Sequence, residues 1–231
     1  MGGSSTFSAC TLSFHQCKCF EKLTQEQRDL LDTNSVKIKY RKGEIICKQG
    51  GFVSHVMYVE TGLVKVFLEN GINSLVLRIT PGRNFLGLSS VSEEHPYFPY
   101  SSMAYIDSEI RQIEINAFRT LMEQNFEFTK EIIDIISSNS LQIYGRFFSF
   151  THKQAFGRLA DILLCLADRI FKKSEFNLPL SRKELAELSG MSPETVIRML
   201  KEFNDEGLIR MEGKSIEVID YHRIKQISDT G

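Results

Sequence analysis

The sequence carries almost no net charge: 28 Lys and Arg stand against 29 Asp and Glu, a formal −1 over 231 residues. That balance speaks against a nucleic-acid binder on bulk charge and leaves a local basic patch as the feature to look for. There is no apolar run long enough to span a bilayer. Met1 to Ser13 contains neither Lys nor Arg and has no apolar core, so no signal peptide and a cytoplasmic protein are expected. Cysteines are few, five in all. In that compartment they are expected as thiols or metal ligands rather than disulfides. Also missing are a Gly-rich phosphate loop, a serine nucleophile elbow and a His-Glu-x-x-His zinc pair. Glu93-Glu94 has no partner and reads as a solvated turn, so the chain is not expected to be an enzyme. What is present is ordinary globular material, 42% hydrophobic and 25% charged, long enough for two compact domains.

The first twenty residues are polar and loosely patterned. Cys10, Cys17 and Cys19 sit among them with His15, and Cys47 follows farther on. Four thiolates can hold an iron–sulfur cluster, but Cys-x-x-Cys pairs are absent, and an arm with unpaired thiols is the plainer reading. Thr24 and Gln27 form a capping box that opens a short helix. From Val36 the pattern alternates, with Val36, Ile38 and Tyr40 on one face and Lys37, Lys39 and Arg41 on the other, as in a half-buried strand. Turn signals then recur at short intervals: Lys42-Gly43, Gly50-Gly51, Thr61-Gly62, Asn70-Gly71 and Pro81-Gly82. Between them lie Val56–Val59 and Leu63–Leu68, and Met103–Asp107 and Glu109–Ile115 complete the set. Such a series predicts an antiparallel roll, with a hairpin at Asn70-Gly71 where both residues tolerate positive φ.

From about Phe126 the period becomes helical. Ile133, Ile136, Ser140, Ile143, Phe147 and Phe150 recur at heptad spacing, which predicts one long helix pairing with its own copy, Ser140 fixing register. The alternative is that this helix packs only on the roll. A further amphipathic helix carries Leu159, Ile162, Leu163 and Leu166, with Cys165 as a small core residue beside them. Then comes the most informative stretch. Ser181 and Glu184 form a capping box, and Gly190 suits a left-handed helix end. Ser192 caps a second helix with Pro193 at its first position. Val196, Met199, Leu200 and Phe203 make its buried stripe, leaving Glu194, Thr195, Ile197, Arg198 and Lys201 outside. Gly207-Leu208-Ile209 and Ile216–Ile219 add a hairpin with Gly213-Lys214 at its tip. The whole reads as a winged helix-turn-helix rather than a merely structural helix pair, and its second helix is expected in the DNA major groove.

Glu194 and Arg198 lie one turn apart, so Arg198 can read guanine O6 and N7 while Glu194 accepts from cytosine N4 and orients the guanidinium. Ile197 can touch a thymine methyl. Ser181, Ser192, Thr195, Lys201 and Lys214 are expected at phosphates, which position the domain without reading sequence.

Roll, long helix and winged helix-turn-helix, in that order, resemble the Crp–Fnr family of bacterial transcription regulators. The resemblance runs from about Phe20 to the end. It rests on Ser192–Leu200, Gly207-Leu208-Ile209, Arg41–Glu44, Tyr58–Gly62 and Pro81-Gly82. It implies an α+β chain: an N-terminal arm (1–20), a β-roll sensory domain like those that bind cyclic nucleotides (21–122), a dimerisation helix (123–151) and a winged helix-turn-helix DNA-binding domain (152–231). It also implies a homodimer bound to double-stranded DNA at a pseudo-palindromic operator, acting as activator or repressor with RNA polymerase as a further partner. The alternative is an adaptor whose helix-turn-helix serves protein contacts.

Cyclic-AMP-binding members carry Gly-Glu and, after a gap, Arg-Ser, the Arg meeting the cyclic phosphate. Here Asn84–Ser90 and Pro99–Ser102 contain neither charged residue, so cyclic AMP is not expected. The oxygen-sensing branch fits the Cys19-Phe20…Leu23-Thr24 entry, with Cys10 at a plausible distance. Ser13, however, stands where a cysteine belongs, and no cysteine falls late in the roll. Phe85, Tyr97, Phe98 and Tyr100 can line an apolar pocket, for haem with His55 or His95, or be core aromatics beside surface histidines.

Overall fold

The computed structural model describes residues 17–71 and 73–231. Cys10, Ser13 and His15 lie outside them. The described chain forms two compact units, divided between Leu141 and Gln142.

In the first unit the short strands become two four-stranded antiparallel sheets. One has the order β1 (Ser35–Tyr40), β8 (Ser108–Glu114), β3 (His55–Thr61), β6 (Asn84–Leu86). The other runs β2 (Ile45–Cys47), β7 (Ser101–Ala104), β4 (Leu63–Asn70), β5 (Asn73–Pro81). Helix α1 (Gln25–Thr33) precedes them on the expected capping box: the Thr24 hydroxyl accepts from the Gln27 amide at 3.3 Å, and the Gln27 side chain accepts from the Thr24 amide at 3.1 Å. The β4–β5 turn lies one residue later than expected. Asn70 is still paired, with Asn73, and it is Gly71 that takes positive φ, at 61°.

The N-terminal stretch corrects two expectations. Cys17 and Cys19 are buried, not part of a loose arm, and their sulfurs are bonded to each other. Cys47 lies on β2 with its thiol 3.0 Å from the Ser102 hydroxyl. Among the described residues no group of three or more His, Cys, Asp or Glu is arranged to hold a metal ion. Residues 17–23 are instead a clasp on the roll. Cys17 N–H donates to the Arg83 carbonyl at 3.0 Å, and Lys18 N–H donates to Glu131 at 3.2 Å. Arg83 holds that carbonyl from a left-handed backbone (φ 66°), a conformation that disfavours any side chain but glycine's.

From the clasp an aromatic ladder crosses the unit: Phe20 to Tyr58 at 4.8 Å, Tyr58 to Phe85 at 5.0 Å, Phe85 to Phe118 at 5.6 Å, and Phe118 to Phe128 at 5.4 Å between ring centroids. Phe118 lies on α2 (Ile115–Gln124), and Phe128 opens α3 (Phe126–His152), a 27-residue helix. Each such pair is worth about 0.5–1.5 kcal/mol beyond its buried area. The ladder therefore ties the roll to the start of α3.

The second unit continues with α4 (Ala155–Cys165), a π-helical turn, β9 (Glu175–Asn177), α5 (Arg182–Ser189), α6 (Pro193–Asp205), β10 (Ile209–Glu212), β11 (Ser215–Val218) and α7 (Tyr221–Thr230). The wing is a three-stranded sheet, β10-β11-β9, so β9 adds a strand the sequence reading did not contain. Cys165 is buried on α4, but it is disulfide-bonded rather than the free core thiol the sequence suggested. Among the described residues no helix is long and apolar enough to cross a membrane.

Candidate nucleic-acid interface

The interface is built on α5 and α6, and its local geometry follows from their end residues. The Ser181 hydroxyl accepts from the Glu184 amide at 3.2 Å while Glu184 accepts from the Ser181 amide at 2.6 Å. At the other end Gly190 takes φ 64°, and a Cβ there would lie 2.3 Å from the Phe150 ring. Only glycine fits this turn on both counts. Ser192 then caps α6, accepting from the Thr195 amide at 3.2 Å.

The carbonyls ending α5 are held by residues that sequence reasoning missed. Arg146 donates to the Leu188 carbonyl, and Arg158 to the Ser189 carbonyl at 2.8 Å. Cations belong at a helix C-terminus, where unpaired carbonyls concentrate negative potential. The same Arg146 guanidinium lies 4.1 Å over the Phe150 ring. Phe150 therefore packs under the helix-turn-helix. A helix-terminus carbonyl needs a donor, but nothing in the sequence says which arginine will supply it.

On α6, Val196, Met199, Leu200 and Phe203 are all buried to 1% exposure or less. The opposite face presents Glu194, Ile197, Arg198 and Lys201, with Ile197 at 53% exposure. Glu194 does not pair with Arg198 in the free chain, as the sequence suggested. Its own amide and the Ser192 hydroxyl hold its carboxyl below the usual range. Lys214 is exposed at the wing tip beside Gly213 (φ 61°), and the Met211 amide donates to Asn204 of α6 at 3.0 Å, fixing wing to helix. Arg182, at the first turn of α5, was not singled out in the sequence. It reaches Met211 at 3.9 Å and keeps one buried terminal nitrogen without a partner among the described residues.

Helix α3 carries two faces of its own. Phe128, Ile132 and Ile135 are buried, whereas Ile133, Ile136, Ile143 and Phe147 are exposed, Phe147 at 70%. Leu141, Tyr144 and Phe148 are exposed beside them. Inside the roll, Gly87 N–H donates to the Tyr100 hydroxyl at 2.7 Å. The aromatics proposed for a haem pocket separate. Phe85, Phe98 and Tyr100 are buried in the core, while Tyr97 is 58% exposed and packs against Phe52. His95 is exposed and His55 bonds to its neighbour Ser54 at 2.8 Å.

Comparison with known proteins agrees with this architecture. Residues 157–227 match the Crp-like helix-turn-helix domain, and residues 37–125 the cyclic nucleotide-binding domain. The transcriptional activator protein anr of Pseudomonas aeruginosa is 26% identical over 204 residues, covering 86% of this chain and 83% of its own. The transcriptional regulatory protein btr of Bordetella pertussis is 28% identical over 231 residues, covering 95% and 92%. Among solved structures, FixK2 from Bradyrhizobium japonicum superposes with a TM-score of 0.76 at 20% identity, covering 84% of this chain and 96% of that one. On its paired domains, their order and these relatives, the chain belongs to the Crp–Fnr family of bacterial transcription regulators.

Proposed function

We propose that the protein is a cytoplasmic homodimer that binds a pseudo-palindromic operator through α6 and its wing, under the control of a signal received at the roll. The observation that carries the reading is the division of α6: a wholly buried apolar stripe holds it to the domain, so Glu194, Ile197 and Arg198 stand free to meet base edges. Arg198 donates to a guanine and Glu194, already ionised on its cap, accepts from a cytosine. Ser181, Ser192, Thr195, Lys201 and Lys214 meet phosphates, and the half-buried Arg182 adds a donor beside the wing. The bare strip Ile133–Phe147 supports pairing of α3 with its copy. The relatives' roles as activators make RNA polymerase a partner to test for.

The test is a binding selection on random duplexes with wild-type protein, Arg198→Ala and Lys214→Ala. Arg198→Ala should cost about 1–3 kcal/mol on the best site and erase the preference at one G·C pair per half-site. Lys214→Ala should weaken all sequences alike and flatten the salt dependence. An unchanged sequence preference in Arg198→Ala removes it as the reading residue. The absence of any selected sequence with the wild type would favour a protein-contact role for the helix-turn-helix.

A further inference from the structure

Arg78 on β5 is a cation inside the roll, and no described residue of opposite charge is paired with it. It is 6% exposed. Among the described residues its guanidinium has two partners, both neutral: the Asn139 side-chain oxygen on α3 at 2.5 Å and the Phe85 carbonyl at 3.5 Å. Thr80 is two residues along the same strand, so its side chain leaves the same face of β5. Thr80 is fully buried, and its hydroxyl has no hydrogen-bond partner among the described residues. Across the ladder, Val66 stands opposite Arg78 and Val64 opposite Thr80, both buried. One face of β5 thus offers a forked cation and an unused hydroxyl in apolar surroundings.

Buried charge is retained where it is paired, and a guanidinium presents five N–H donors in a fork that matches a carboxylate. The second of its two contacts is at the outer limit of a hydrogen bond. Neutral acceptors leave the positive charge uncompensated, and the orphan hydroxyl beside it is a second unmet valence of the same place. A bound anion would satisfy both.

We infer that the roll binds a small carboxylate, one or both oxygens on the Arg78 guanidinium and one taking the Thr80 hydroxyl hydrogen. The ligand is small because the face it would meet is already covered, Arg78 at 6% exposure and Thr80 at 0%. Since Arg78 also touches Asn139 of α3, an anion on the guanidinium competes for the contact between strand and long helix. The inference names the ligand class for the signal-receiving roll proposed above, but binding is read without DNA, so either claim can fail alone.

The experiment is thermal unfolding of the full-length protein, exchanged into low-salt buffer and titrated with acetate. Acetamide serves as the neutral isostere and chloride as the ionic-strength control. Acetate should raise the melting temperature saturably by several degrees, with acetamide and chloride flat, and Arg78→Met should abolish the rise. Thr80→Val keeps the cation and should weaken the acetate midpoint about tenfold, the worth of one charge-assisted hydrogen bond. An acetate response matched by chloride, or one that persists in Arg78→Met, overturns the site. If Arg78→Met does not fold, an unchanged midpoint in Thr80→Val overturns it instead.

Discussion

At the scale of single residues, burial sets chemistry that the sequence leaves open. The Cys47 thiol is pushed up from 9.0 to about 11, first by loss of solvent, with its contact to Ser102 pulling partly back. It should therefore stay protonated and resist iodoacetamide at pH 8 in the native protein, reacting only after denaturation, as peptide mapping would show. Because the folded value is the higher one, this group's contribution to stability is intact below pH 9 and declines as pH rises toward 11. Gly190→Ala meets both a left-handed backbone and the Phe150 ring. It should cost more than about 1 kcal/mol in denaturant midpoints, and a variant as stable as wild type would show that the turn can relax. Cap residues, turn glycines and the buried stripe of α6 were readable because each follows from local geometry. Arg146 and Phe150 were not, since one meets a carbonyl 42 positions along the chain and the other faces a glycine 40 positions away. Asn70 failed for a smaller reason: the turn chemistry was right, but the register of β4 against β5 is set by the whole ladder.

Among the elements, α3 shows how two interleaved repeats hide one another. Ile133, Ile136, Ser140, Ile143 and Phe147 stand out as heptads because they are mostly apolar. The buried repeat, Phe128, Ile132, Ile135, Gln142, Arg146 and Ser149, turns polar halfway and so reads as a solvent face. Long polar side chains go inside there because carbonyls and carboxylates of other helices await them. Glutamate at both Ile136 and Ile143 should give a monomer in sedimentation velocity with unchanged helical circular dichroism. A double variant that still sediments as a dimer would place the pairing surface elsewhere. Within α6 the expectations separate by face. Phe203→Ala should destabilise the protein by roughly 3–5 kcal/mol. Ile197→Ala should leave the melting temperature nearly unchanged and alter only operator preference. The short strand β9 went unread because three residues, Glu175–Asn177, are too few to show a period.

On the scale of the molecule, the order of roll, long helix and winged domain was legible, since period two, period 3.6 and paired capped helices follow one another. The clasp and the joint after α3 were not. Lys153, between α3 and α4, sends its ammonium to Asp161 at 2.8 Å and to the Ser228 carbonyl of α7 at 2.5 Å. Its backbone carbonyl accepts from Arg158 at 2.7 Å. Burial pushes the Asp161 carboxyl up, and the Lys153 ammonium and Ser228 hydroxyl pull it partly back. Removing one partner of so buried a pair leaves the other stranded. Lys153→Met should cost roughly 3 kcal/mol and speed amide exchange along α7, and unchanged exchange there would mean the helix is held by packing alone. The joint also limits how such proteins can recombine. A hybrid spliced at Ala155, joining another regulator's sensor to this reading head, would bring a foreign residue to position 153. Asp161 would then be left facing Ser228 without its cation. Inheritance of the winged domain as a free cassette is thus constrained, and the natural unit of exchange starts upstream, inside α3.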